Sequence, residues 1–306
     1  MATRDRGRCD VTGPKPAWVG RRAAVGVMVL TAGMAACGED RVDVTEVLGE
    51  ACLDARDQLA AVPAPADDSS DVGFLEAAGE AAATAADAGE ELVGLGDDQT
   101  IADLVQHLRR FPGAGDADQL PGVAYEAIAV IDRIDGFAEA LIVPECGAAT
   151  WRPADWRAMA ARSGGQPDEA AFRRDLNQLC EATFPNPSHL TGGTPLLEAL
   201  GGGPNGGNEP GDATEVKALV LERLNTVSNR PSGVARFIRE FSSGLPDQRP
   251  SDDLEDEHVA LLAAFMHVDT AVPNVVPRDP SPDVRDRVFL ALDELEDAWQ
   301  ALDITC

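Results

Sequence analysis

Lysine is almost missing from this chain: Lys15 and Lys217 are the only two in 306 residues, and tyrosine occurs once, at Tyr125. Basic residues of both kinds number 25 against 53 acidic ones, a formal charge of −28. Nucleic acid and anionic headgroups are bound through basic residues, so a field of this sign excludes nucleic acid as a partner and leaves cationic partners and divalent ions open. Alternating apolar and polar residues, the mark of a half-buried strand, are nearly absent, which excludes a sheet protein. No apolar run reaches the roughly 20 residues that span a bilayer as a helix. There is no G-x-S-x-G elbow, no H-E-x-x-H pair and no C-x-x-C spacing. The glycine run Gly201 to Gly207 is followed by no Gly-Lys-Ser/Thr, so it is not a phosphate loop. These absences lead to the expectation of a protein that is not an enzyme, with no cofactor and no metal.

What is present begins at the amino terminus. Arg4, Arg6, Arg8, Lys15, Arg21 and Arg22 precede an uncharged apolar run from Ala23 to Ala36, too short to cross a membrane. The run closes on Met34-Ala35-Ala36-Cys37-Gly38. Small residues before a cysteine at the end of such a segment resemble the cleavage and acylation box of bacterial lipoprotein precursors, with Met34 standing where Leu is usual. The resemblance covers only the amino-terminal segment. It implies that residues 1–36 are a signal peptide, that Cys37 carries a diacylglycerol, and that a tether, residues 37–43, leads to the folded part. Acyl chains contribute about 0.8 kcal/mol per buried methylene, so two or three of them hold a protein at a membrane. The expected location is therefore the outer side of the cell membrane. Arg21-Arg22 leaves both the general and the twin-arginine export routes open. Six basic and two acidic residues precede Cys37, so the remainder carries a formal −32.

With Cys9 removed and Cys37 lipidated, Cys52, Cys146, Cys180 and Cys306 remain. An even number in an oxidising compartment reads as two disulfides. Three pairings are formally possible. Cys52 with Cys146 and Cys180 with Cys306 is preferred, because each bridge then encloses one half of the chain.

The fold class is expected to be all-α, as one or two helical bundles. Asp43 with Glu46, Thr100 with Asp103, Asp212 with Glu215 and Asp252 with Glu255 have capping-box spacing or a close variant, and Ser281-Pro282 gives a fifth helix start. Apolar residues at helical spacing follow, as in Val44, Val47, Leu48, Ala51, Ala55 and Leu59. The stretch from Val72 to Leu95 is helical with a stripe of alanine. Residues 44–146 and 168–306 read as two halves, joined by a linker, 147–167, with a short Pro153-led helix and with Trp151 and Trp156 packed between the halves. Ile101 to Val105 parallels Val234 to Ile238, and Val130 to Asp135 parallels Ala291 to Glu296. The parallels fit two duplicated, disulfide-stapled bundles; unrelated amphipathic helices produce similar ones. Residues 192–211 read as a flexible Gly-rich loop, and 270–282 as an irregular, proline-interrupted segment.

Weak constellations complete the reading. Glu255 and His258 have the Glu-x-x-His spacing of ferritin-like di-iron bundles, but no second pair exists, so Glu255 is expected as a capping residue and His258 as a first-turn surface residue. His267 and Asp269 lie further along that helix. None of His107, His189, His258 and His267 has Glu three residues later, so the H-x-x-E signature of imelysin-like iron-uptake lipoproteins is absent. Asp116 and Asp118 resemble the start of a calcium loop, with Leu120 where a third oxygen ligand belongs. Ser163, Ser188, Ser242 and Ser243 could act as nucleophiles only with partners brought near by the fold. The expected role is a lipid-anchored binding or scaffold module for another envelope component, with an envelope protein as partner. The alternatives are a solute- or cation-binding lipoprotein that serves a transporter and a cell-envelope hydrolase.

Overall fold

The computed structural model describes residues 43–93, 99–113, 115, 120, 122–162, 168–184, 196–201, 213–224, 233–272 and 280–304. Every regular element among them is a helix. The first, α1 (Val44–Ala60), starts where expected: the Asp43 carboxylate accepts from the Thr45 amide at 3.0 Å. Asp67 opens α2 (Asp68–Val93) in the same way, accepting from the Ser70 amide at 2.9 Å. Then follow α3 (Gln99–Leu108), α4 (Gly122–Leu141), α5 (Pro153–Arg162), α6 (Glu169–Thr183), α7 (Leu196–Gly201), α8 (Ala213–Leu224), α9 (Gly233–Gly244), α10 (Glu255–Ala271) and α11 (Pro282–Ala301). Asp168 caps α6 through the Ala171 amide at 2.7 Å, and Ser281 caps α11, which has Pro282 in its first turn as the sequence implies.

Helices α1 to α4 pack each on the next, and α10 packs on α11. The alanine stripe of α2 does what small residues allow: Ala78, Ala81, Ala82, Ala85 and Ala86 are fully buried. Gly89 continues the stripe so closely that a Cβ there would stand 2.5 Å from the Val105 side chain. In α4, Val123, Ala124, Tyr125, Ala127, Ile128, Ala129, Val130 and Ile131 are all buried, and in α10 the buried run is Leu261 to Met266. A helix apolar on every side must be surrounded by protein. These two surround one another: α4 packs on α3 and α5 on one flank and on α10 on the other.

Helix α4 ends in a Schellman motif, with the Val143 amide donating to Ala138 and the Ile142 amide to Glu139. The left-handed position, φ 58°, is filled by Ile142 where glycine is the usual occupant. Val143 is buried, and three residues on Cys146 is bonded to Cys52 of α1. This is the expected pairing. Cys180 in α6 is disulfide-bonded as well. Cys306, its expected partner, lies outside the described residues, as does Cys37.

The short Pro153-led helix expected within the linker is present as α5, which follows 3-10 turns at residues 144–151 and packs on α4. The described residues from Asp43 onward belong to one compact unit. Several other expectations are corrected. Trp151 and Trp156 are fully buried, yet their ring partners are Phe74 and Phe111 of the first half rather than residues of the second. Their indole N–H groups donate to the carbonyls of Cys146 and Trp151 at 3.0 and 2.9 Å. Within the expected Gly-rich loop, 196–201 is the helix α7. Its apolar residues Leu196, Leu197 and Leu200 are buried, and the Glu296 carboxylate receives its first amides at 3.2 and 2.8 Å. Finally, α10 begins at Glu255 after a 3-10 turn at Asp252–Leu254, and Glu255 pairs with Arg157 instead of reaching back as a cap.

The approach of α4 to the second half yields a paired test. A Cβ on Gly122 would meet the Pro246 carbonyl oxygen at 2.8 Å, whereas one on Gly136, in the same helix, meets nothing within 4 Å. Gly122→Ala is expected to lower stability by about 1–3 kcal/mol through overpacking. Gly136→Ala is expected to gain up to about 1 kcal/mol from helix propensity. Urea unfolding followed by tryptophan fluorescence reads both, and equal shifts for the two variants would contradict the close contact.

Candidate functional site

Several ion pairs cross the seam between α3–α5 and α10–α11. Arg110 at the end of α3 pairs with Asp269 of α10, Arg157 of α5 with Glu255 and Asp256, and Arg287 of α11 with Asp103 of α3. Most of these groups are partly exposed, and each such pair contributes about 0–1 kcal/mol. The inner pair is different in kind. Arg133 of α4, only 16 % exposed, donates to Glu294 Oε2 of α11 at 2.9 Å, and the same oxygen lies 2.7 Å from Nδ1 of His267 in α10. Burial would push the Glu294 carboxyl up, but the His267 hydrogen bond and the Arg133 guanidinium hold it below its ordinary value. Immediately before Arg133 in α4, burial raises the Asp132 carboxyl.

Two more imidazoles stand in the interior. His107 of α3 is fully buried, and its Nδ1 lies 2.7 Å from the Asp103 carbonyl. A carbonyl can only accept, so the proton sits on Nδ1, and the bare Nε2 has no hydrogen-bond partner among the described residues. Burial pushes its pKa down to about 4. His258 of α10 is fully buried between Tyr125 of α4 and Phe172 of α6, both edge-on with centroids 5.3 and 5.4 Å away. Neither of its nitrogens has a hydrogen-bond partner among the described residues, and burial lowers its pKa to about 3. The expected surface position of His258 is therefore corrected: it is a core residue that joins the two halves. The Glu-x-x-His spacing places nothing together, because Glu255 turns out to Arg157 while His258 turns in. Among the described residues no group of three His, Cys, Asp or Glu side chains could hold a metal ion.

A cleft of about 150 Å³ opens at one end of the seam. Arg110, Glu126, Ser242, Ser243 and Asp269 form its polar wall, with Leu262, Phe265 and Met266 behind them. Both serine hydroxyls donate to carbonyls of their own helix, Ser242 to Arg239 at 3.1 Å and Ser243 to Glu240 at 3.0 Å. The other residues singled out from sequence, Asp116, Asp118, Ser163, Ser188 and His189, lie outside the described residues. Sequence reasoning missed the Arg133–Glu294–His267 cluster. A signal for it existed, since the parallel segments 130–135 and 291–296 are the ones that meet there. No family model, no curated protein and no solved structure matches the chain.

The buried imidazoles make stability depend on pH in a defined window. His258 and His107 are neutral when folded but accept protons near 6.5 when unfolded, so folding loses stability as pH falls below about 6.5, by about 1.4 kcal/mol per pH unit per histidine. The depressed carboxylate of Glu294 acts in the next window down, where its contribution is lost as pH falls below about 4.5. Between pH 6.5 and 5 the unfolding free energy is expected to fall steeply, and His258→Phe should remove about half of that slope. An unchanged slope in the variant, measured by urea titration at several pH values, would mean that His258 is paired or protonated in the fold.

Proposed function

We propose that the protein is a lipid-anchored, extracytoplasmic component of a bacterial cell envelope, and that its helical body is a binding or scaffold module for another envelope component. The carrying observation is the juxtaposition in the chain of Met34-Ala35-Ala36-Cys37-Gly38 with a compact, disulfide-bonded unit that begins at Val42. Disulfides form and persist in oxidising, extracytoplasmic compartments, and the Cys52–Cys146 bridge together with the bonded Cys180 supports that placement. The interior chemistry fits a binding role: the Glu294 carboxylate is engaged by both Arg133 and His267, and His258 serves as a packing residue between aromatic edges. The surplus of carboxylates directs the choice of partner toward a basic surface.

Covalent cross-linking on intact cells, followed by mass spectrometry, tests this. One reproducible envelope protein is expected with the wild-type chain and none with Cys37→Ala. Metabolic labelling with an alkyne fatty acid should mark the wild type and leave Cys37→Ala unlabelled. An unlabelled wild type would remove the anchor, and an empty cross-linking result would remove the scaffold role.

A further inference from the structure

The contact between α4 and α10 has a buried imidazole near each of its ends. His258, in the first turn of α10, lies edge-on to Tyr125 in the first turn of α4 and to Phe172 of α6. His107 of α3 meets the ring of Phe137, near the far end of α4, with centroids 5.1 Å apart, and stands close enough to His267 of α10 for a charge on one to oppose a charge on the other. Both imidazoles are fully buried, and three of their four ring nitrogens have no hydrogen-bond partner among the described residues. Neither place compensates a proton. The groups whose charges act on His107 are Arg110, Arg133 of α4 and His267 of α10, all of them basic, and only the Asp103 carbonyl of its own helix favours a charge there. Arg110 and Arg133 are also the cations that reach Asp269 and Glu294 across the seam. Beside His258 the titratable group on α4 is Tyr125; Glu255, Asp252, Arg249 and Arg157 act on that phenol, whereas burial alone acts on the imidazole.

We propose that the α4–α10 contact is an acid-operated latch: protonation of His107 and His258 parts α10, with α11 packed on it, from α4, and turns two buried apolar faces into surface at mildly acid pH. Two observations select this movement. Parting α10 from α4 brings water to both imidazoles at once, whereas movement of α3 alone would hydrate His107 only, and of α6 alone His258 only. Each side also holds together without the contact, since α10 packs on α11 and the Cys52–Cys146 bridge ties α1 to the end of α4. The faces uncovered include Leu261 to Met266 of α10 and Val123 to Tyr125 of α4. What such a surface would regulate rests on the binding-module reading above; the latch itself is a property of the fold. An imidazole in water takes a proton near pH 6.5, so at pH 5 each exposed one favours the open form about 30-fold and the two together about a thousandfold. Burial keeps both neutral in the closed form at that pH, so the drive is absent at pH 7.5 and grows as pH falls through 6.5.

Hydrogen exchange resolved by mass spectrometry, on the full chain in detergent micelles, reads the opening. Protection is taken as the rate in an unstructured peptide divided by the rate in the protein at the same pH. For Leu261 to Met266 it is expected to fall about a thousandfold between pH 7.5 and pH 5, and at pH 5 to lie at least about tenfold below that of Ala78 to Ala86 in α2, which the latch leaves covered by α1 and α3. Either His258→Phe or His107→Leu should reduce the fall to about 30-fold, and the double variant should abolish it. Equal protection of the two segments would mean that only unfolding of the whole body answers to acid, and overturns the proposal. Loss of protection confined to α3 or to α6 overturns it too, as does a fall that neither variant reduces. If a variant fails to fold, the contrast between the two segments in the wild-type chain still decides. An empty cross-linking result beside this contrast removes the scaffold role and leaves the latch, so the two failures are separate.

Discussion

The burial of α4 is the constraint on which the rest of the structure depends. This helix has almost no polar face between Val123 and Ile131, so every flank needs a protein neighbour. Helix α3 and α5 supply two flanks from the first half, and α10 supplies another from the second. Because α10 is itself apolar nearly all round, neither helix can be covered by its own half. The chain beyond Val42 is therefore one compact unit, and the seam between its halves is interior rather than hinge. The start of α4 also lies close to backbone of the second half, where a Cβ on Gly122 would stand 2.8 Å from the Pro246 carbonyl oxygen.

Much of the fold was legible in the sequence because it is written in local signals. Asp43 and Ser281 cap helices at the places their spacing indicated, and the alanine stripe of α2 buries as a stripe of small residues must. What was not legible depended on tertiary partners. Leu196, Leu197 and Leu200 form a helix whose cap comes from Glu296, about a hundred residues away, and local glycines concealed it. Asp252 and Glu255 had the spacing of a box, but Arg157 competes for the Glu255 carboxylate with a full charge. His258 follows three acidic residues, which suggested the surface, and only the rings of Tyr125 and Phe172 reveal it as core. The candidate site was the least legible, because its groups come from α3, α4, α9 and α10 and no spacing in the chain connects them.

Arginine does work here for which lysine would be a poor substitute. Arg152 reaches the carbonyls of Leu59 and Val62 at the end of α1, at 2.6 and 2.9 Å, while its guanidinium lies 4.9 Å over the ring of Phe74. Arg162 donates to the Pro65 carbonyl at 2.7 Å and pairs with Asp71, and Arg173 reaches the Leu302 carbonyl. Arg223 does the same for Leu200 at 2.8 Å. A planar fork with five donors can hold a helix end and stack on a ring together, which a point charge on a flexible stem does less well. The few cations of this acidic chain are thus drawn into its framework, and the carboxylates are left to define the exterior.

The Cys52–Cys146 bridge also fixes how the body answers a mechanical load. Tension applied through the chain ahead of Val44 enters at the first turn of α1, which by itself is held to α2 by noncovalent packing. Within nine residues the force meets Cys52 and crosses a covalent bond to Cys146, just beyond the end of α4. The load is then passed toward α4, whose face from Val123 to Ile131 is buried, and α1 cannot unzip past that point. A pull on the chain ahead of α1 would thus unwind less than three helical turns before it reached the covalent bridge to the end of α4.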